Sequence, residues 1–118
     1  MRISELAEKL GISTDTIRYY EKRGLLNHRH MEREDNGYRR YNEKAIERIR
    51  LIFRAKTLGV TLAEMSQFID EWESEAISVE DKRIFFNNKI ALVDKRIDAL
   101  NQMREYLCQK VIDLEKNE

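Results

Sequence analysis

The chain has 118 residues, four glycines, no proline and one cysteine, and its 22 basic side chains balance 22 acidic ones. With 37% charged and 42% hydrophobic residues it suits long solvated helices and leaves little room for an extended sheet. No apolar run reaches membrane-spanning length and no secretory signal pattern opens the chain; a lone cysteine excludes an internal disulfide and points to a reducing cytoplasm. The zero net charge hides an asymmetry. Residues 1–60 carry 14 Lys/Arg against 9 Asp/Glu, a net of +5, whereas residues 61–118 carry 8 against 13, a net of −5. An excess of cations in the first half supplies attraction for phosphates.

Ile3 to Ile12 is a short amphipathic run, and Gly11 ends it as a helix C-cap does. Ser13 or Thr14 then caps a second helix, Asp15 is favourable at its positive end, and Gly24 closes it. Leu6, Ala7, Leu10, Ile12, Ile17 and Leu25 are the expected core of this pair. Two short helices joined by a tight turn, the second carrying arginine and tyrosines outward, form a helix-turn-helix that can enter a DNA groove. Residues 27–41 lack a helical period and contain Asn36-Gly37, a hairpin signal, inside the basic and aromatic stretch Arg33 to Tyr41. A helix-turn-helix followed by such a hairpin reads as a winged helix.

Asn42 caps a third helix, whose stripe of Ala45, Ile46, Ile49, Ile52, Phe53 and Lys56 runs to Gly59. Thr61 to Glu64 is a capping box for a fourth helix through Met65, Phe68, Ile69 and Trp72. Residues 73–77 read as a linker, and Ser78 opens the last helix. Along that helix Phe86, Ile90, Val93, Ile97, Leu100, Leu107, Val111 and Leu114 alternate steps of three and four, with Arg104 in the one missing slot. A period of 3.5 is a coiled-coil seam. The small N-terminal domain cannot cover such a length, so the same helix of a second chain is the simplest partner. The fold class expected is mainly α: a winged helix-turn-helix domain over residues 1–73 with a small β-hairpin wing, then a helix over 74–118 forming a dimeric coiled coil.

Three blocks resemble the MerR family of bacterial transcription regulators: Ile17 to Leu26 (Ile-Arg-Tyr-Tyr-Glu-Lys-Arg-Gly-Leu-Leu), Asn36 to Tyr41 (Asn-Gly-Tyr-Arg-Arg-Tyr), and Ala55 to Met65. The resemblance implies a cytoplasmic homodimer on double-stranded promoter DNA, its two winged domains held apart by an antiparallel coiled coil of the long helices. It implies an effect on RNA polymerase that is indirect, through bending and untwisting of the promoter spacer. The family's recognition helix maps onto Ser13 to Glu21. Arg18 is then the candidate for a guanine edge, Thr14 and Thr16 for phosphate or a thymine methyl, and Tyr20 for a phosphate through its hydroxyl. The wing contacts map onto Arg33, Tyr38 and Arg39, and Lys56 falls where the family has a phosphate-facing base. Tyr19 and Tyr41 are expected to pack. Asp15 departs from relatives with a base there, and either caps the helix or accepts a bond from cytosine.

No metal site and no cofactor are expected. The family's metal sensors pair two cysteines past the long helix, and Cys108 stands alone. Cys108 is either a thiol sensor or a small side chain beside the seam. His28 and His30 form a His-x-His pair that reads as metal-binding or as a solvated loop. Trp72, Phe85 and Phe86 read as hinge packing or as the wall of a small apolar pocket. The sequence holds no phosphate loop and no nucleophile–histidine pairing at a useful spacing, so no enzyme is expected. An effector-independent, excisionase-like DNA bender and a coiled-coil protein adaptor are the alternative readings.

Overall fold

Gly11 sets the first corner of the chain. Its φ of 67° lies in the left-handed region, its N–H returns to Glu8 C=O, and the next N–H, of Ile12, returns to Ala7 C=O. Helix α1 (Ile3–Leu10) therefore stops abruptly, and α2 (Thr14–Lys22) starts after it. The computed structural model describes residues 1–117, in two compact units that divide between Ala76 and Ile77.

The first unit adds strands β1 (Met31–Arg33) and β2 (Arg39–Tyr41) and helices α3 (Glu43–Thr57) and α4 (Leu62–Glu73). Its core takes Leu6 and Ala7 from α1, Ile17 and Tyr20 from α2, then Leu25 and Leu26. Ala45, Ile46, Ile49 and Ile52 enter from α3, and Met65 and Ile69 from α4. Each fully buried Leu or Ile contributes roughly 1.5–3 kcal/mol. Leu10 and Ile12, expected in this core, are only half-buried, because they flank the Gly11 corner at the rim of the domain.

The hairpin is antiparallel, with Met31 opposite Tyr41, Glu32 opposite Arg40 and Arg33 opposite Arg39. Asn36-Gly37 is its turn, but the two residues are not the whole loop. Gly37 N–H bonds to Glu34 C=O and Glu34 N–H to Tyr38 C=O, and Gly37 takes a φ of 84°. This is a three-residue loop: a turn that ends in a left-handed glycine. Asn36 Oδ1 accepts from Tyr38 N–H at 3.1 Å. On the other side of β2, Tyr41 exchanges two hydrogen bonds with Met1, so the chain start braces the wing.

Caps form where short polar side chains meet unpaired N–H groups. Asn42 caps α3 through Lys44 and Ala45 N–H, and Thr61 with Glu64 makes a reciprocal capping box on α4. Glu75, in the connection after α4, takes a φ of 60°.

The second unit is one helix, α5 (Val79–Lys116), 38 residues long and capped by Ser78. At 1.5 Å per residue it extends ~57 Å. None of its residues is buried. The eight residues expected to form a seam, from Phe86 at 41% to Leu114 at 69%, are all exposed. Among the described residues no helix is long and apolar enough to cross a membrane.

Candidate nucleic-acid interface

Helix α2 is held at both ends and along one side. At its start Ser13, not Asp15, is the cap: its hydroxyl accepts from Thr16 N–H at 3.1 Å. Asp15 lies in the first turn, where a carboxylate favours the helix dipole, and its Oδ1 accepts from Arg18 at 3.1 Å. Arg18 also donates to Thr14 Oγ1 at 3.3 Å. The buried side carries Ile17 and Tyr20, three residues apart. Arg18 and Tyr19 project outward, and Thr14 and Thr16 are half-exposed.

The two neighbouring tyrosines therefore exchange the exposure expected of them. Tyr20, expected to offer its hydroxyl to a phosphate, is 1% exposed, and that hydroxyl accepts from Lys56 Nζ at 3.3 Å. Tyr19, expected to pack, is 46% exposed and lies against the Arg23 guanidinium. The helical period decides it: Tyr20 repeats the face of Ile17, and Tyr19 does not. Lys56 is exposed at the end of α3, but its ammonium is anchored on the Tyr20 ring and hydroxyl.

Glu21 ties the wing to α2. It accepts from Arg39 at 2.8 Å and from the Tyr41 hydroxyl at 3.4 Å. Burial, then the adjacent Glu21 carboxylate, pushes the Tyr41 phenol up to about 12, so it stays a donor. Tyr41 packs as expected, at 2% exposed. Arg39, expected to grip DNA, is half-buried and paired. The outward arginine of β2 is Arg40, at 69% side-chain exposure. Strand alternation could have found it: with Tyr41 inward, Arg39 points inward and Arg40 outward. Arg33 is exposed, and Tyr38, at 62%, stands at the loop end under the Arg2 guanidinium. Arg2 also donates to Glu34 at 3.2 Å.

Arg48 was not singled out in the sequence, and it is completely buried. Its guanidinium donates to Leu25 C=O, to Asp70 at 2.8 Å and to both oxygens of Glu73. That one side chain joins α3, α4 and the segment after α2. Asp70 is shared with Arg29 at 3.2 Å, and its hydrogen bond from Arg48 holds its carboxyl below the usual range. His30, expected in a solvated loop, is 2% exposed, while His28 is exposed. The His30 Nδ1 accepts from Asn27 N–H at 3.0 Å, and burial, with Arg48 next in effect, lowers its pKa to about 4. It is a neutral core group.

Among the described residues no group of three or more His, Cys, Asp or Glu is placed to hold a metal. Cys108 is exposed. Trp72 lines a cleft in the first unit with Phe68 beside it at 6.2 Å between rings, and Phe85 and Phe86 meet edge-on at 5.9 Å on α5.

A family model described as MerR HTH family regulatory protein matches residues 1–72, and one described as MerR, DNA binding, matches residues 46–109. The chain is 34% identical to the mercuric resistance operon regulatory protein of Bacillus cereus over 106 residues, covering 90% of this chain and 79% of that one. It is 36% identical to the HTH-type transcriptional regulator CueR of Yersinia pestis, covering 88% and 73%. Among solved structures it resembles HiNmlR, a MerR family regulator lacking the sensor domain, bound to promoter DNA, with a TM-score of 0.60 and 27% identity over 98% of this chain and 90% of that one. It also resembles PbrR691 of Ralstonia metallidurans in complex with lead(II), with a TM-score of 0.79 and 27% identity over 92% and 84%. With two family models spanning most of its length and a helix-turn-helix, wing and long helix in that order, the chain belongs to the MerR family of helix-turn-helix transcriptional regulators.

Proposed function

We propose that the chain works in the cytoplasm as a homodimer on double-stranded promoter DNA and alters transcription by bending and untwisting the spacer, so that RNA polymerase is affected indirectly. The observation that carries this reading is the outward face of α2, where Arg18 and Tyr19 stand exposed and Glu21 ties the helix to a wing that exposes Arg33, Tyr38 and Arg40. In this reading Arg18 reads a base edge, because a guanidinium can bridge two guanine acceptors. Thr14, Thr16, Arg33, Tyr38, Arg40 and Lys56 hold phosphates and sugar, which set register without reading sequence. Tyr19 replaces Tyr20 as the aromatic that reaches the backbone. Arg39 holds the wing in place through Glu21.

Residues 1–73 act as the DNA-binding domain and 74–118 as the dimerisation helix. The support is the exposed stripe of Phe86, Ile90, Val93, Ile97, Leu100, Leu107, Val111 and Leu114, since an isolated soluble chain rarely leaves so long an apolar stripe open. Antiparallel pairing would set two recognition helices on successive turns of one DNA face.

The test is to sequence DNA retained by the purified protein and footprint the best site. A two-fold site within a promoter spacer is expected, and Arg18→Ala should cost about 1–3 kcal/mol there and relax preference at one position per half-site. Retention without sequence preference, or an equal loss on all sequences, would refute the assignment of Arg18.

A further inference from the structure

One cleft in the first unit, about 520 Å³, plays no part in the proposed DNA interface; Arg29, His30, Lys44, Leu51, Arg54 and Trp72 are among its walls. That volume suits a molecule of one or two rings. Lys44, Leu51 and Arg54 share one side of α3, at spacings of seven and three, and Trp72 comes from the end of α4. Among the described residues neither Lys44 nor Arg54 is ion-paired. The remaining charges are largely spent within the protein: Arg29 holds Asp70, and Glu73 holds Arg48. Glu47 is the one further carboxylate on the wall, so Lys44, Arg54 and Glu47 leave a single positive excess.

His30 gives the cleft a fixed donor. Its Nδ1 accepts from Asn27 N–H, so the proton of the neutral ring sits on Nε2. No protein group among the described residues bonds that N–H. Among the described residues every buried side-chain nitrogen and oxygen has a partner, so Nε2, which has none, is the accessible edge of a ring that is 2% exposed and forms part of the cleft wall. A buried histidine that presents one unused N–H beside two unpaired cations and an indole is a set of donors around an apolar wall.

We propose that this cleft binds a small aromatic monocarboxylate, with the ring between Trp72 and Leu51 and the carboxylate on the Arg54 and Lys44 cations and the His30 Nε2–H. A dianion would meet Glu47 and Glu73, and a neutral aromatic would leave the cations unused. The cleft is also placed to matter for DNA. His30 directly precedes β1 of the wing, and α3 carries Lys56 in its last turn. An effector role therefore rests on the DNA-binding reading above, while binding itself does not.

Binding is measured first without DNA, on the full chain, by NMR of the Trp72 indole N–H and the His30 ring during titration with benzoate, 1-naphthoate, benzamide and inorganic phosphate. Saturable shifts at both residues are expected for the two carboxylates only. Arg54→Gln and Lys44→Gln, both at exposed positions, should each weaken binding roughly tenfold while leaving the fold intact. No saturable shift at millimolar carboxylate, equal binding of benzamide or phosphate, or undiminished affinity in both variants would overturn the proposal. If carboxylates bind and DNA affinity does not change, the site stands and its effector role falls; if no DNA is bound at all, the regulator reading falls and the ligand site is judged on the shifts alone.

Discussion

His30 makes the domain sensitive to acid in a defined window. The ring is enclosed, its pKa lies at about 4 against 6.5 in an unfolded chain, and four charged groups surround it. Arg48 and Arg29 oppose its protonation, while Glu73 and Asp70 favour it; burial outweighs all four. The folded state therefore prefers the neutral ring. Above pH 6.5 neither state holds the proton, and the full contribution is present. Between 6.5 and about 4 the unfolded chain takes up a proton that the folded chain refuses, so stability falls as pH falls. A difference of this size at ~1.36 kcal/mol per unit corresponds to about 3 kcal/mol lost across the window. Asp70 follows a separate course. Its carboxyl is lowered from 3.8, so its contribution persists above that value and is lost below it. Urea unfolding followed by circular dichroism from neutral pH down to about 4 thus isolates the histidine. His30→Asn keeps an acceptor for Asn27 N–H and removes the titration. The wild-type protein should lose about 3 kcal/mol across the window relative to His30→Asn, and His28→Asn should follow the wild type. Parallel curves for the wild type and His30→Asn would refute the enclosed-ring argument.

Three further outcomes are expected. Arg48→Met should destabilise the first unit by about 3 kcal/mol in the same unfolding assay, the low end for a broken buried pair, because Asp70 and Glu73 keep 42% and 43% exposure and can be hydrated; a loss under ~1 kcal/mol would show that the Arg48 network is dispensable. Arg40→Ala should lower the salt slope of DNA binding by roughly one unit, whereas Arg39→Ala should weaken binding to the extent that Glu21→Gln does; a slope change in Arg39→Ala with Glu21→Gln silent would make Arg39 a phosphate contact. Replacing Leu100 and Leu107 by lysine should give monomers in sedimentation, and persistent dimers would place the seam elsewhere.

Most of the local structure was legible because its causes are local. Ser13, Asn42, Thr61 and Ser78 are caps in the sequence and caps in the fold, since the N–H groups they satisfy lie two or three residues away. The helix α5 with its apolar stripe was legible for the same reason, as a period within one helix. Arg48 and His30 were not. Arg48 interrupts no pattern, and its partners lie 22 to 25 residues away; only tertiary packing turns a charged helix position into a core one. His30 sits in a polar stretch of sequence, yet Arg48 of α3 and Asp70 and Glu73 of α4 lie close enough to act on its buried ring. Tyr19 and Tyr20 differ for another reason: the period from Ile17 puts Tyr20 on the buried face and Tyr19 outside, against the directions that the family motif implies.

The departure at Asp15 bears on how the α2 surface selects its sites. In the free protein Arg18 folds back along the helix onto Asp15 and Thr14. The pair is exposed, 61% for Arg18 and 92% for Asp15, so it contributes little to stability and is cheap to open. A guanine edge offers Arg18 two aligned acceptors and can displace a single carboxylate contact; a phosphate-only encounter gives less reason to leave it. In a complex where Arg18 has found no base it stays paired with Asp15, and the carboxylate withholds that positive charge from the phosphates. Asp15→Asn should therefore tighten binding to random DNA more than to the selected site, and the ratio between them should shrink. Equal tightening on both would reduce Asp15 to plain repulsion. Weaker binding to the selected site alone would mean that its carboxylate accepts a bond from cytosine, and that selectivity at α2 rests on two direct contacts in place of one contact and a competitor.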